Sequence, residues 1–421
     1  MKIGLTAVLR RIVRSGRLSL IDWRGRRAEF GDPDDVNADP IVMRLNDRRV
    51  AFDLLRNPQL TLGEAYMDGR FSIEGGTIAD LLELLARNIG TGYGGGHIDW
   101  IAKLRFAGRR LMQRNGHARS RQNVARHYDL SGQLYDLFLD SDKQYSCGFY
   151  ERPSDTLEIA QLNKKRRIAA KLDLKPGQSV LDIGSGWGGL GLHLARTSDA
   201  DVTGITLSRE QLKIANERAI GAQMSDRLRF RLEDYRKTQG KFDRIVSVGM
   251  FEHVGIADYD AFFAQISSLL RDDGVALIHS IGRSDGRGMT NPWISKYIFP
   301  GGYAPALSEV LPAVERAGLI VTDIEILRLH YAYTLAEWRR RFVANWERAK
   351  RLYDERFCRM WEFYLAGSEM AFRYQGQMVF QLQLAKRVDA LPLARDYMIP
   401  MRGHAVGRWA EGVSGPNPVA A

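Results

Sequence analysis

Cysteine is nearly absent: Cys147 and Cys358 are the only two in 421 residues. Two thiols cannot build a disulfide framework, which fits a reducing cytoplasm. Long apolar runs are missing as well. No stretch approaches the ~18 or more consecutive apolar residues that span a bilayer. The N-terminal MKIGLTAVLRRIVRSGR is too broken by arginine for a secretory signal. No helix-spaced histidine pair such as H-E-x-x-H occurs, so no metal site is expected. Acids are outnumbered by bases, leaving a formal net charge of +11. An anionic partner is therefore expected, either nucleic acid or a phospholipid surface. With no zinc-finger spacing, RNA-recognition motif or recognition helix with its turn, nucleic acid is set aside.

What is present is a globular composition. Hydrophobic residues at 45% and aromatics at 10% exclude a disordered chain and allow a sizeable core. At roughly 150 residues per domain, the length predicts two or three domains. Positive charge is clustered in two places. Residues 2–27 carry Arg10, Arg11, Arg14, Arg17 and four more bases against Asp22 alone, and residues 101–121 carry seven bases and no acid. In the first cluster Leu5, Val8, Leu9, Ile12 and Val13 recur at helical spacing beside an arginine face. That pattern fits an interfacial helix for anionic lipid, or a solvated helix docked on its own domain.

Residues 1–115 read as a small N-terminal α/β domain, with strand-like runs at Arg17–Asp22 and Arg48–Phe52 and a helix-like run at Gly75–Asn88. The Gly-rich GTGYGGGH (90–97) and the basic run after it form a linker to about 120. Over 121–395, strands and helices alternate with the spacing of a parallel, doubly wound sheet. Candidate strands are Ser179–Ile183, Asp201–Thr206, Arg227–Leu232, Phe242–Val248, Val275–Ser280 and Leu319–Leu327. Residues 396–421 read as a flexible tail.

The strongest local motif is VLDIGSGWGG, residues 180–189. An apolar strand delivers Asp182; Gly184, Gly186 and Gly188 then turn so that backbone N–H groups approach a ligand at a helix N-terminus. The run also satisfies G-x-G-x-x-G, the dinucleotide fingerprint. Two features decide against a dinucleotide. Asp182 would crowd a pyrophosphate from the strand end, yet could orient a cationic amino-acid cofactor. The ribose-binding acid expected about 20 residues on is replaced by Thr206. S-adenosylmethionine, with a sulfonium, an amino group and no phosphate, suits the loop better; a purely structural glycine turn is the competing reading. In GITLSREQ (204–211), Thr206, Leu207, Ser208 and Gln211 offer neutral groups to a ribose. Glu233, Asp234 and Tyr235 follow the third strand, where an adenine would be edged and covered.

These stretches occur in order with NVARHYDLS (123–131), QYSCGFY (144–150), FDRIVSVGMFEHVG (242–255), ALIHSIG (276–282), NPWISKYIFPGG (291–302) and HYAYTLAEW (330–338). As a set they resemble the cyclopropane-fatty-acyl-phospholipid synthases and the related mycolic-acid cyclopropane synthases, densely over 120–395 and more loosely over 1–115. One departure is Gly132, where the family more often has asparagine. The resemblance implies a Rossmann-like class I methyltransferase sheet with a small N-terminal α/β domain. It also implies a homodimer, peripheral on the inner face of a membrane in a bacterial-type cytoplasm. The implied reaction moves the methyl of S-adenosylmethionine onto a cis double bond of an acyl chain in a membrane phospholipid. Carried over residue by residue, the family's cofactor contacts fall on Tyr145, Ser146, Gly184, Gly186, Thr206, Leu207, Gln211, Asp234 and Tyr235. Its bicarbonate cradle falls on Cys147, Glu252, His279, the backbone of Ile281, and Tyr331.

That chemistry has physical requirements. An alkene is a weak nucleophile and a sulfonium a strong electrophile, so positioning and water exclusion supply the rate. The acyl carbocation left by methyl transfer needs a dry site with aromatic faces. Tyr297, Phe299, Trp338, Phe342, Trp346 and Trp361 are candidates, with two or three expected to touch ligand and the rest to be core. A weak, small, fixed base must then remove a proton from the new methyl, the role the family gives to bicarbonate. Glu252 beside an anion is expected to accept the bicarbonate hydroxyl proton or to be protonated itself, because two like charges within ~4–6 Å disfavour double ionisation. Alternative outcomes are a methyl-branched, methylene or furan-precursor acyl chain. A non-catalytic lipid-binding protein with a vestigial cofactor fold is the reading from another class.

Overall fold

The computed structural model describes residues 4–33, 39–90 and 132–399. The linker beyond Gly90, the basic run 101–121, the NVARHYDLS stretch and residues 400–421 lie outside the described residues. Helix α1 (Leu5–Ile12) sets Leu5, Leu9 and Ile12 against the core and leaves Arg10 and Arg11 exposed. Of the two readings of this stripe, the one observed is the helix docked on its own domain. Strands β1 (Arg17–Ile21) and β2 (Arg27–Gly31) form a hairpin in which Asp22 Oδ1 accepts from the N–H groups of Arg24 and Arg26, both at 2.9 Å. Strand β3 (Ile41–Leu45) runs parallel to β1, and β4 (Phe71–Gly75) antiparallel to β3, giving the order β2-β1-β3-β4.

The strand expected at Arg48–Phe52 is not one. Asp47 Oδ1 accepts from the Arg49 N–H (2.9 Å) and its carbonyl from the Val50 N–H (3.2 Å), turning the chain into helix α2 (Val50–Arg56). A short Asp side chain bonding to the backbone two residues on is a turn signal that outweighs a brief apolar run. Helix α3 (Pro58–Met67) follows, then α4 (Ile78–Ile89), which begins where Thr77 and Asp80 cap one another.

After the turn α5 (Gly132–Tyr135), helix α6 (Leu157–Lys171) leads into the large sheet. Its elements are β5 (Ser179–Ile183), α7 (Gly189–Ser198), β6 (Asp201–Thr206), α8 (Arg209–Gly221), β7 (Leu228–Leu232), β8 (Phe242–Val248), α9 (Tyr259–Leu269) and β9 (Leu270–Arg283). Helices α10 (Pro292–Tyr297) and α11 (Leu307–Arg316) precede β10 (Ile320–Ile326); α12 (His330–Ala344), α13 (Trp346–Leu352) and α14 (Glu355–Tyr374) precede β11 (Gln377–Ala385). The seven strands stand in the order β10-β11-β9-β8-β5-β6-β7, with β11 antiparallel to both neighbours. All six candidate strands are present, within a residue or two except for the longer β9. Strand β11 is not among them: glutamines at 377, 381 and 383 make QMVFQLQLA look half-solvated, yet Gln381 and Gln383 are buried. The chain leaves β5 toward β6 and β7, then returns to β8, so the carboxyl ends of β5 and β8 form the switch point where ligands bind in open α/β sheets.

One apolar core joins the two sheets' surroundings. It contains Leu18, Phe71 and Leu81 from the N-terminal unit together with Trp338, Trp361 and Tyr364 from the helices that cover the large sheet. Helix α14 packs on α3, α4 and α12, and α10 packs on α3. The α3–α10 contact depends on Gly63, where an added Cβ would lie 2.6 Å from Trp293 Cδ1. At the far end, Tyr397 and Met398 are docked: Gln383 Nε2 donates to the Tyr397 hydroxyl (3.0 Å), and Met398 is buried. Among the described residues, no helix is long and apolar enough to cross a membrane.

Candidate active site

The carboxyl end of β5 breaks into the glycine turn because its backbone enters the left-handed region at Gly184 (φ +85°), Gly186 (φ +54°) and Gly188 (φ +82°). Gly188 also has no room for a side chain: a Cβ there would lie 2.7 Å from the Phe230 ring. The N–H groups of Gly184 and Ser185 both donate to the Ile205 carbonyl (2.9 and 3.0 Å), folding the turn over β6. This leaves Asp182 buried against the pocket with Oδ2 lacking a protein partner, and burial pushes its carboxyl up to about 7. An orphaned carboxylate oxygen of this kind fits an incoming ammonium group.

All ten residues assigned to the cofactor line one pocket of about 1220 Å³, its open mouth included. Tyr145 and Ser146 close one side, Asp182, Gly184 and Gly186 form the floor, and Thr206, Leu207, Gln211, Asp234 and Tyr235 form the far wall. Thr206 Oγ1 donates to Gln211 Oε1 (2.9 Å), and Ser208 caps α8 by accepting from the Gln211 N–H, so these neutral groups are preset at the end of β6. Asp234 is held by Arg236, whose Nε and Nη2 donate to its two oxygens (2.9 and 2.7 Å) while its guanidinium lies 5.5 Å from the Tyr235 ring centre. Lys164, Trp187, Met250 and His253 also line the pocket, although the sequence does not assign them to the cofactor. For Lys164 the pattern misleads, since LEIAQLNKKRR reads as a solvated helix face.

None of the five cradle residues lines this pocket: Cys147, His279 and Tyr331 are buried, and Glu252 and Ile281 are half-buried. Ile281 N–H donates to Glu252 Oε1 (2.6 Å), and Oε2 is buried without a partner. Burial pushes Glu252 up to about 7, so near neutrality a large fraction carries a proton. His279 stands two residues before Ile281 on the same face of β9. Its Nδ1 lies 3.1 Å from Gln381 Nε2, and burial lowers it to about 3, leaving a neutral imidazole. Cys147 is buried too, which raises its thiol well above the usual range, so no thiolate nucleophile forms there. Tyr331 lies edge-on to Trp338, centroids 5.9 Å apart.

From the pocket an aromatic layer runs into the core. Tyr145 stacks on Trp338 (5.1 Å, 25°), and its hydroxyl lies 3.0 Å from that of Tyr364. Phe299 touches both Tyr364 (5.9 Å) and His253 (6.1 Å). Of the aromatic candidates, Trp338, Phe342 and Trp361 are fully buried. Tyr297 instead donates to Glu64 of the N-terminal unit (2.8 Å), and Trp346 packs on Phe342.

A seven-stranded sheet with one antiparallel strand, and a glycine turn and lone aspartate at its switch point, define a class I S-adenosylmethionine-dependent methyltransferase. Residues 115–382 match the family model of mycolic acid cyclopropane synthetase, and the chain belongs to that family. Residues 11–91 match a domain of unknown function (DUF7884). The chain is 38% identical over 338 residues to the cyclopropane-fatty-acyl-phospholipid synthase of Escherichia coli (strain K12), covering 80% of this chain and 85% of that protein. It is 34% identical over 344 residues to the tuberculostearic acid methyltransferase UfaA1 of Mycobacterium tuberculosis, covering 79% and 80%. Among solved structures, mycolic acid cyclopropane synthase CmaA1, complexed with SAH and CTAB, is 34% identical with a TM-score of 0.60, covering 65% of this chain and 99% of that one.

Proposed function

We propose that this methyltransferase transfers the methyl of S-adenosylmethionine to a cis double bond of an unsaturated acyl chain in a membrane phospholipid and closes a cyclopropane ring. The observation that carries the reading is the aromatic layer of Tyr145, Trp338, Tyr364 and Phe299 adjoining the pocket. When bound, S-adenosylmethionine supplies an electrophilic methyl and bicarbonate a small weak base. Asp182 receives the cofactor's amino group, the Thr206–Gln211 pair its ribose, and Asp234 its adenine edge. The rings of Tyr145, which lines the pocket, and half-buried Phe299 exclude water and attract the positive charge that develops on the acyl chain, with Trp338 backing Tyr145 from the core.

The cradle residues fit a small oxyanion. Glu252 Oε2 is an orphaned carboxyl oxygen able to accept a hydroxyl proton, while a protonated Glu252 removes the like-charge conflict. Tyr331, neutral His279 and the Ile281 N–H it shares with Glu252 provide further polar contacts. The protein docks peripherally on the inner membrane face: α1, which packs on α2, exposes Arg10 and Arg11, and α2 with the preceding Arg49 exposes Arg56 and Phe52, the last 66% exposed. A methyl-branched product is the second reading; the chain is also similar to a methyltransferase named for tuberculostearic acid. The test is turnover of labelled cofactor on mono-unsaturated phospholipid vesicles with and without bicarbonate. Transfer that requires both the unsaturated chain and bicarbonate is expected; transfer indifferent to bicarbonate would remove the base assigned here.

A further inference from the structure

One buried charge is not used by the chemistry above. Lys164 is 1% exposed on α6, a helix that also buries Gln161 and Asn163. Its Nζ donates to Gln144 Oε1 (2.7 Å) and Ser146 Oγ (2.8 Å). One helical turn back, Gln161 Nε2 donates to the backbone carbonyls of Ser146 (2.9 Å) and Gln144 (3.3 Å). Gln144 in turn sits against Gly189 at the start of α7, where a Cβ would collide with it, and donates to Asp142 Oδ2 (3.0 Å). Asp142 is anchored by Lys165 and Arg218. The segment that closes one side of the pocket is thus pinned at both side chains and backbone, and Lys164 is the central pin.

Two neutral oxygens do not balance a buried ammonium, and burial lowers Lys164 to about 8, so its charge is present near neutrality and fades above that pH. Among the described residues no carboxylate forms a direct ion pair with Lys164; Asp140, Asp142 and Asp182 act on it from a distance, as do Lys165, Cys147 and His279. Of these acids only Asp182 borders the pocket with an unpartnered oxygen.

We propose that Lys164 is a positioning residue for the amino-acid end of the cofactor: it fixes Gln144 and Ser146 over the pocket and supplies the counter-charge that Asp182 faces. The proposal rests on the S-adenosylmethionine site and not on the identity of the acyl substrate. Burial drives the Asp182 carboxyl upward, and the Lys164 charge opposes that drive. An ionised Asp182 is the form that binds an ammonium, so cofactor affinity rises with pH through about 7. Removing the lysine charge moves that rise to higher pH.

The test uses the full chain with Lys164→Met and Lys164→Arg, titrating S-adenosylhomocysteine calorimetrically between pH 6 and 8.5 and recording melting in parallel. Lys164→Met is expected to stay folded but melt below the wild-type temperature, because Gln144 Oε1 and Ser146 Oγ lose their buried donor. At pH 7 it should bind about tenfold or more weakly, with the deficit shrinking as pH rises, and Lys164→Arg should restore part of the loss. In an Asp182→Asn background the Lys164→Met penalty should be smaller, because its electrostatic component has nothing left to act on. Should Lys164→Met not fold, Lys164→Gln keeps hydrogen bonding without charge and carries the same pH test. A folded variant with wild-type affinity and an unmoved pH profile overturns the proposal, as does a penalty undiminished by Asp182→Asn.

Discussion

Glu252→Gln separates chemistry from stability at the cradle. Glutamine keeps the acceptor for the Ile281 N–H, which now reaches Glu252 Oε1 at 2.6 Å, but cannot ionise. Burial raises the Glu252 carboxyl from an ordinary 4.5 to about 7, so the folded protein holds a proton that the unfolded chain releases earlier. Between those values the unfolded state binds fewer protons, and stability falls as pH rises. The rise in the carboxyl from 4.5 to about 7 corresponds to about 3 kcal/mol, fully present as a penalty above pH 7 and absent below 4.5. Denaturant unfolding of Glu252→Gln should show a shallower fall, Asp182 supplying the remainder, leaving the variant more stable than wild type at pH 8 by up to about 3 kcal/mol. Turnover should drop about a hundredfold or more, and the response to added bicarbonate should vanish. Wild-type turnover with an intact bicarbonate response, or a stability curve that falls as steeply as the wild type's between pH 4.5 and 7, would refute the reasoning.

Asp182→Asn should weaken S-adenosylhomocysteine binding about tenfold or more at pH 8, and less at pH 6, where the wild-type carboxyl, raised to about 7, is itself protonated; calorimetry at the two pH values checks both limbs. Gly63→Ala drives a methyl into the Trp293 indole and should cost about 1–3 kcal/mol in denaturant unfolding. Gly367→Ala in α14 meets only Leu82 at 4.0 Å and should stabilise by about 0.5–1 kcal/mol. Neutralising Arg10, Arg11 and Arg14 should weaken cosedimentation with anionic vesicles, and wild-type binding should itself decline as salt shortens the screening length from ~10 Å at 0.1 M to ~3 Å at 1 M.

The large sheet is legible in the sequence because short runs rich in Val, Ile and Leu recur between helix-length spacers, the spacing of a parallel sheet. Ser179–Ile183, Asp201–Thr206 and Phe242–Val248 appear with the bounds expected of them. The glycine turn is legible for a related reason: only glycine tolerates the positive φ that carries the backbone from β5 into α7. Other features depend on partners far away in the chain. Strand β11 is polar at Gln381 and Gln383 because their side chains bond to His279 and to the Lys171 carbonyl, contacts no local window contains. Lys164 belongs to the same class, a buried ion on a helix whose hydrophilic sequence suggests water. The helix α2 was obscured by a short apolar run after Asp47, whose capping role decides the local backbone. The arginine stripe of α1 leaves open what its apolar side touches until Leu5, Leu9 and Ile12 are seen against the N-terminal core.

The most direct measurement is mass spectrometry of acyl chains from mono-unsaturated phospholipid vesicles incubated with the protein and methyl-labelled S-adenosylmethionine. The expected product gains one labelled CH₂ unit, loses its double bond and resists hydrogenation as an alkene. Acyl chains that emerge unlabelled, from protein shown to bind S-adenosylhomocysteine, would contradict the assignment of the aromatic-walled pocket to methyl transfer onto lipid.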